Sequence, residues 1–483
     1  LADETLISEG TVRREQDRLL ASFFRFILRP FHPFTADFFD RAGLPAGAIR
    51  TVGDLGKLPY LSKSDLIASP KEPEKQKQFI VAPTPQAIRR HWPIWKLIPI
   101  ALDKKKFAEK FHPILLTATT GRTADPISFI YAQEDMEILA IAGRRLIRSF
   151  QLAYPDRVLS FFPYAPHLAF WQCCIAGFES RVFMLQTGGG KAMGTDAHLK
   201  LIDRIKPSAI VGVPSYTYHV LREARAAKIP MGSVQKVILG AEKVPPGMKR
   251  KIISILMESG ARQPVVFSTY GFTEAKKAWG ECPTTDPDVT SGYHLTPHLD
   301  LIQIADPVTG KILPPDSPGE IIYTPLRGAG TLIWRYRTGD IAEGGLTFKP
   351  CPHCGAAGPR LMGPINRVSN IKDLRLTKIK GTLVNLNNIA ALLDGNPGVE
   401  EWQIEIRKKD NDPHEVDEVI LYVAWSTSAS GDAASQIKKD LHASCEISPN
   451  EIHVLPLAEM LDRTRMETAL KEIRILDTRP KSL

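Results

Sequence analysis

Pro264-Val265-Val266-Phe267-Ser268-Thr269-Tyr270-Gly271-Phe272-Thr273-Glu274 opens as a short apolar run and closes on a hydroxyl beside a carboxylate. The run 264–269 reads as a buried strand bounded by turn residues. Thr273 and Glu274 at its end have the chemistry to hold Mg²⁺ and touch a nucleotide phosphate. The same two residue types also cap helices, so the pair needs a site around it.

Working outward, strand-like runs recur at 114–117, 126–131, 158–162, 182–185, 210–213, 237–239 and 265–267. Helical periodicity fills 134–150, 168–177, 197–206, 216–228 and 246–258 between them. That alternation predicts an α/β architecture with a largely parallel sheet and helices layered on it. Ligands of such sheets bind beyond the carboxyl ends of the strands, where the polar stretches of this chain fall. Residues 1–110 read as mainly helical with Pro-rich connections, and Ser62 reads as a helix N-cap. After Asp300 the texture shifts to short strands at 301–305, 319–323, 332–336 and 341–348, which predicts a β subdomain. Residues 367–483 carry their own signals at 419–424, 433–441 and 468–475. The expected division is residues 1–366 as a large N-terminal unit and 367–483 as a small α+β C-terminal domain.

The chain has 483 residues, 43% apolar and 24% charged, the composition of an ordinary globular protein with room for several cores. No run of about eighteen uncharged apolar residues is present, so a spanning helix is not expected. The most apolar N-terminal piece, 22–34, is broken by Arg25, Arg29 and two prolines and lacks the layout of a signal peptide. A net charge of +9 and a pI near 9.1 favour anionic partners such as a nucleotide or coenzyme. The basic cluster Lys104-Lys105-Lys106 reads as a solvated face, and neither a membrane nor a nucleic-acid partner is expected. Six cysteines in so long a chain do not make a disulfide framework, which suits a reducing, cytoplasmic setting.

Four polar turns carry chemistry. Thr117-Ala118-Thr119-Thr120-Gly121-Arg122-Thr123 places hydroxyls, a glycine and a cation between two strands, able to wrap N–H groups around phosphates. It is not a Walker loop. Leu239-Gly240-Ala241-Glu242-Lys243 closes a strand, and the Tyr270–Glu274 motif follows. Tyr336-Arg337-Thr338-Gly339-Asp340 places an acceptor-only carboxylate at a glycine turn, suited to a ribose diol. Cys351-Pro352-His353-Cys354-Gly355 is a knuckle whose two sulfurs can share one ion, with two positions left open. Cys173-Cys174 reads as core packing, and Cys445 has no evident partner.

In this order and spacing the motifs resemble the adenylate-forming (acyl-CoA synthetase) superfamily, and within it the phenylacetate-CoA ligase-like family. The resemblance implies a phosphate loop at Thr117, Thr119, Thr120, Gly121 and Arg122. It implies an adenine and acyl wall at Gly240, Ala241 and Glu242, with Tyr270 and Gly271 near the adenine. Thr273 and Glu274 would hold phosphate and Mg²⁺, and Asp340 the ribose. Arg367 resembles the hinge arginine, and Lys380-Gly381 the pair that follows it. Lys471 stands six residues before Asp477-Thr478-Arg479, the family spacing for a catalytic lysine that neutralises charge on the reacting groups. A zinc-bearing branch of the family places a cysteine and a histidine where Cys282 and His294 stand, implying a structural Zn²⁺ on Cys282, His294, Cys351 and Cys354. His353 and His298 are competing ligands.

The implied reaction is ATP- and Mg²⁺-dependent activation of a carboxylic acid as its adenylate, then transfer to CoA. An aryl acid is favoured, in a pocket among Phe162, Tyr164, His167, Phe170, Trp171, Ser215, Tyr216 and Gly240. The hinge has Ser369 and Asn370 where the family carries aspartates, and Met466-Glu467-Thr468-Ala469-Leu470 precedes the lysine. These departures keep open an acceptor that is an amine, a protein or a separate carrier thiol. A zinc-stabilised binding protein without turnover is the alternative of another class, and a homodimer is a further partner considered.

Overall fold

The computed structural model describes residues 8–68, 72–119, 127–367, 376–379, 382–411, 417–426, 429, 432–445, 447–466 and 472–479. Its strands are β1 (Pro113–Ala118), β2 (Ser128–Ala132), β3 (Arg157–Pro163), β4 (Phe183–Gly188), β5 (Ala209–Gly212), β6 (Lys236–Leu239), β7 (Val265–Phe272) and β8 (Lys277–Gly280). Strands β3 to β8 form one six-stranded sheet in the order β4-β3-β5-β6-β7-β8. All its pairings are parallel except that of β7 with β8. Helices Leu168–Ser180, Gly190–Ile205, Pro214–Ala226 and Pro246–Glu258 make the crossovers. Every residue of β5 is buried, as expected of a strand covered on both faces by helices.

The strand order reverses between β3 and β5: the chain leaves β3 for β4 on one side and returns to β5 on the other. A crevice therefore opens beyond the carboxyl ends of those two strands. Tyr164, Ser215 and Tyr216 follow those ends in the chain, and the Gly240–Glu242 and Thr273–Glu274 segments follow β6 and β7.

A second sheet is antiparallel, in the order β10 (Asp300–Ala305), β11 (Gly319–Pro325), β12 (Tyr336–Ala342) and β15 (Ile365–Arg367). Beside it lies a small sheet of β9 (Tyr293–His294), β13 (Leu346–Thr347) and β14 (Arg360–Leu361). The expected strand at 332–336 is not one. Leu332, Ile333 and Trp334 instead plug the N-terminal helical core. The Trp334 ring lies about 6 Å from those of Phe24, Phe34 and Phe38, and its N–H donates to Thr35 Oγ1 at 2.8 Å. The expected strand at 341–348 is split by the Gly344-Gly345 turn between β12 and β13. Apolar runs of this length read alike whether they feed a sheet or a cluster of rings.

The N-terminal helices Glu9–Phe23 and Pro33–Arg41 share one core, in line with the mainly helical reading of 1–110, and Asp65 accepts from the Ser62 N–H at 2.8 Å at the start of helix Lys63–Leu66. The C-terminal section holds a hairpin β16 (Leu376–Ile379) and β17 (Thr382–Asn385), and a sheet of β18 (Val399–Lys408), β19 (Asp417–Trp425), β20 (Glu451–Val454) and β21 (Ile475–Asp477). Its own core joins Ile404 and Leu421 to Ile389, Leu393, Ile437 and Leu441 from two helices. It meets the large unit where Lys251 Nζ donates to Val399 O at 2.7 Å. Among the described residues no helix is long and apolar enough to cross a membrane.

Candidate functional site

The polar groups at the carboxyl edge are tied to one another across long sequence gaps. The Tyr270 hydroxyl donates to Asp340 Oδ2 at 2.8 Å, and Arg367 Nε lies 2.9 Å from Asp340 Oδ1. The Tyr336 hydroxyl donates to Glu274 Oε1 at 2.9 Å. Asp340 is 5% exposed, and burial pushes its carboxyl above the usual range while Arg367 and Tyr270 oppose the shift. Burial, then the neighbouring carboxylates, drives the Tyr270 and Tyr336 hydroxyls well up, so both remain donors. Thr273 and Glu274 start a 3₁₀ turn that ends on Lys276 in the left-handed region.

Below this ledge the chain is pinned by buried ion pairs. Lys276 Nζ lies 2.6 Å from Asp135 Oδ1, and Lys277 Nζ 2.8 Å from Asp300. Asp135 also accepts from the N–H groups of Ala132 and Gly330, so one carboxylate joins the Glu274 turn, the helix Gln133–Ser149 and the loop before Trp334. Such a pair specifies geometry more surely than it adds stability.

On the acid side, a Cβ at Gly240 would collide with the Thr269 hydroxyl and meet the Phe162 ring. Only glycine lets the chain pass there, and Ala241 then turns through φ +71°. Ser215 Oγ donates to Glu242 at 2.9 Å. His167 Nδ1 lies 3.0 Å from Ala118 O, and the exposed Tyr164 ring meets Phe170 edge-on. Phe162 is core. Two features escaped the motif reading. Gly188 and Gly189 take positive φ at the end of β4, and a Cβ at Gly190 would overlap the Tyr216 ring. Buried His198 then joins Thr187 Oγ1 at 2.7 Å to the Tyr216 hydroxyl at 3.0 Å. The run of three glycines was the available signal; His198 had none.

Cys282, His294, Cys351 and Cys354 come together, with all four ligand atoms within 4.8 Å of one another. The Cys282 and Cys351 sulfurs are 3.7 Å apart, as are the Cys354 sulfur and His294 Nε2. A tetrahedral zinc with sulfur at about 2.3 Å has edges of about 3.8 Å, so the four donors fit such an ion. The hydrogen bond between the first two sulfurs holds Cys351 low and pushes Cys282 up. His353 is exposed and His298 faces Arg145, so neither belongs to this group. A cavity of about 540 Å³ lies beside the cluster, lined by Arg145, Arg148, His294, His298 and Cys354, and holds none of the ledge groups. Cys173 is core, its thiol pushed up to about 12 by burial.

The sequence profile of the AMP-binding enzyme family matches residues 64–331, more than half of the chain. The chain belongs to that family. The phenylacetate-coenzyme A ligase of Thermus thermophilus is 24% identical over 423 residues, covering 84% of this chain and 80% of that protein. That of Aromatoleum evansii is 26% identical over 310 residues, covering 63% of this chain and 60% of that protein. Among solved structures, 2-hydroxyisobutyryl-CoA ligase in its postadenylation state superposes with a TM-score of 0.71 at 19% identity, covering 98% of this chain and 91% of that one. The same ligase in the thioesterification state gives 0.60. These likenesses establish the adenylate-forming fold.

The AMP-binding match takes in Thr273 and Glu274 and stops before Asp340, Cys351 and Arg367. Of the phosphate loop, Thr119 Oγ1 accepts from the Ile127 N–H at 3.1 Å. The Thr117 side chain, also expected in that loop, is fully buried next to Tyr131. Alternation along β1 turns it inward. Thr120, Gly121, Arg122, Lys380, Gly381 and Lys471, with Ser369 and Asn370, lie outside the described residues.

Proposed function

We propose that this AMP-binding enzyme is an AMP-forming acid–CoA ligase. The observation that carries the reading is the ledge: two carboxylates, each held by a tyrosine hydroxyl, at the carboxyl edge of a parallel sheet in a chain of this family. The acid's carboxylate attacks the α-phosphate of ATP, pyrophosphate leaves, and the CoA sulfur then displaces AMP from the acyl group. Asp340 accepts from the ribose hydroxyls, with Arg367 yielding its place on Oδ1. Thr273 and Glu274 face the phosphates, and Mg²⁺ on Glu274 supplies charge neutralisation there. Lys471, with Arg122 of the phosphate loop, brings positive charge to the reacting groups. The protein's contribution is positioning and preorganised electrostatics.

The acid lies in the crevice between β3 and β5, with Gly240 as its floor and Tyr164, Phe170 and Tyr216 about it, which suits a flat aryl acid. Residues 367–483 act as the smaller, moving domain over it. A structural zinc on Cys282, His294, Cys351 and Cys354 ties the loop after β8 to the β9–β14 ribbon, in a reducing cytoplasmic setting. The test is carboxylate-dependent ATP–pyrophosphate exchange over aryl and aliphatic acids, with and without CoA. Exchange and thioester formation with an aryl acid are expected. Absence of exchange for every acid would overturn the assignment, and exchange without thioester would move the acceptor to an amine or carrier thiol.

A further inference from the structure

Helix Ile94–Leu102 is built inside out. Ile94 is 79% exposed, Trp95 63%, Ile98 55% and Leu102 82%. At 3.6 residues per turn these four positions fall within an arc of about 100°, a continuous apolar stripe. On the opposite side Lys96 is turned inward, its ammonium 4.1 Å from the centre of the Phe26 ring and 5.3 Å from that of Trp92. Folding alone would bury the stripe and free the lysine. Elsewhere on the described surface, large apolar side chains stand out singly or in small numbers, which needs no explanation; four on one nine-residue helix do.

The frame around the stripe is cationic. Residues 83–110 hold seven basic residues and two acidic ones, with no acid before Asp103. Arg89 and Arg90 are exposed at the end of helix Pro85–His91, and Lys104 and Lys105 at the start of helix Lys104–Lys110. A tryptophan within an apolar arc flanked by cations is the composition of a helix lying in a lipid headgroup region. Nine residues rise about 14 Å, too short to span a hydrocarbon core of about 30 Å, so the helix would lie in the plane. A second copy is a poor occupant, because a two-fold contact would set the same lysines and arginines against themselves.

We propose that this helix seats the protein on an anionic lipid surface, Ile94, Trp95, Ile98 and Leu102 entering the headgroup layer and Arg89, Arg90, Lys104 and Lys105 contacting lipid phosphates. The test is co-sedimentation of the whole protein with vesicles of phosphatidylcholine alone and of phosphatidylcholine doped with phosphatidylglycerol. Binding is expected only to the doped vesicles and weakens with salt. Trp95→Ser with Ile98→Ser, and separately Lys104→Glu with Lys105→Glu, each lower the partition at least about tenfold, at about fivefold per surface charge. The circular-dichroism melt is unchanged by the lysine pair, whose side chains are exposed, and moves by no more than a few degrees on the Trp95 and Ile98 changes, where the Trp95 ring gives up an edge-on contact with Phe26 at 6.2 Å. No binding to doped vesicles overturns the proposal. So does binding that survives the Trp95 and Ile98 changes, which would leave charge alone at work. Loss of a dimer in Trp95→Ser, without vesicle binding, would give the face to a second copy.

Discussion

The carboxylate ledge and the Cys/His cluster sit at opposite ends of the same short stretch, yet they are held by different physics. Each ledge carboxylate already has partners in the chain: Tyr270 and Arg367 for Asp340, Tyr336 for Glu274. The cluster's donors mostly have one another, two sulfurs within hydrogen-bond reach at 3.7 Å. A ledge of that kind is preorganised and stands without its ligand. A cluster of that kind becomes a strong cross-link only when an ion replaces the protons. The stretch 270–282 therefore joins carboxylates already held by the chain to a set of four donors that an ion could tie together.

The largest effect is expected at the cluster. One zinc per chain is expected, and Cys351→Ser or a strong chelator should lower the unfolding free energy by at least about 4 kcal/mol. That is a fraction of the roughly 10–16 kcal/mol that structural zinc contributes in finger peptides. Guanidinium melts with and without chelator measure it; a metal-free protein with an unmoved midpoint would end the zinc reading. Next in size is Lys276→Met. Leaving Asp135 buried without its cation should cost about 3–5 kcal/mol of stability. Native-like melts for that variant would mean that the pair under the ledge is not structural.

Substrate-dependent effects follow. Glu274→Gln should lower the exchange rate about 10²–10³-fold, about 3–4 kcal/mol, with an unchanged melt. Tyr336→Phe, which removes one hydrogen bond to the same group, should cost about tenfold or less. Equal losses in the two variants would show that Glu274 acts through Tyr336 rather than on the substrate.

The smallest effect is a pH limb. Burial raises Asp340, so it protonates at a higher pH than an ordinary carboxylate, and the KM for ATP should climb as pH falls through that raised value. Arg367→Ala removes a cation that opposes the shift and should move the limb to higher pH. The sign for stability runs the other way. Asp340's contribution is complete below about pH 3.8 and fades as pH rises through its folded value. The cluster, whose ligands must lose protons to bind metal, should instead weaken in acid. A limb that Arg367→Ala leaves in place would assign it to another group.

Much of the architecture was readable because parallel strands buried on both faces announce themselves locally. β3, β5, β6 and the crossover helices lie within a few residues of where periodicity puts them, save that the helix expected at 197–206 begins at Gly190 and is kinked at Gly194. The misread segments were Leu332-Ile333-Trp334 and the stretch across Gly344-Gly345, where an apolar run does not say whether its partner is a strand or a cluster of rings. Thr117 could be recognised as part of a hydroxyl-rich turn but not as the inward-facing member of it. The glycine run 188–190 was visible and its purpose was not, since the Tyr216 ring it accommodates is contributed by a helix beyond the next strand.

The sequence by itself determined the residue types at the strand ends and the chemistry they bring, because local spacing encodes both. Only the tertiary structure decided their company. Tyr270 meets Asp340 across seventy residues, and Cys282 meets Cys351 across sixty-nine. It also decided that the apolar stripe of Ile94–Leu102 faces out. Periodicity reports that a helix has two faces, while burial, a property of the whole packed chain, reports which one water sees.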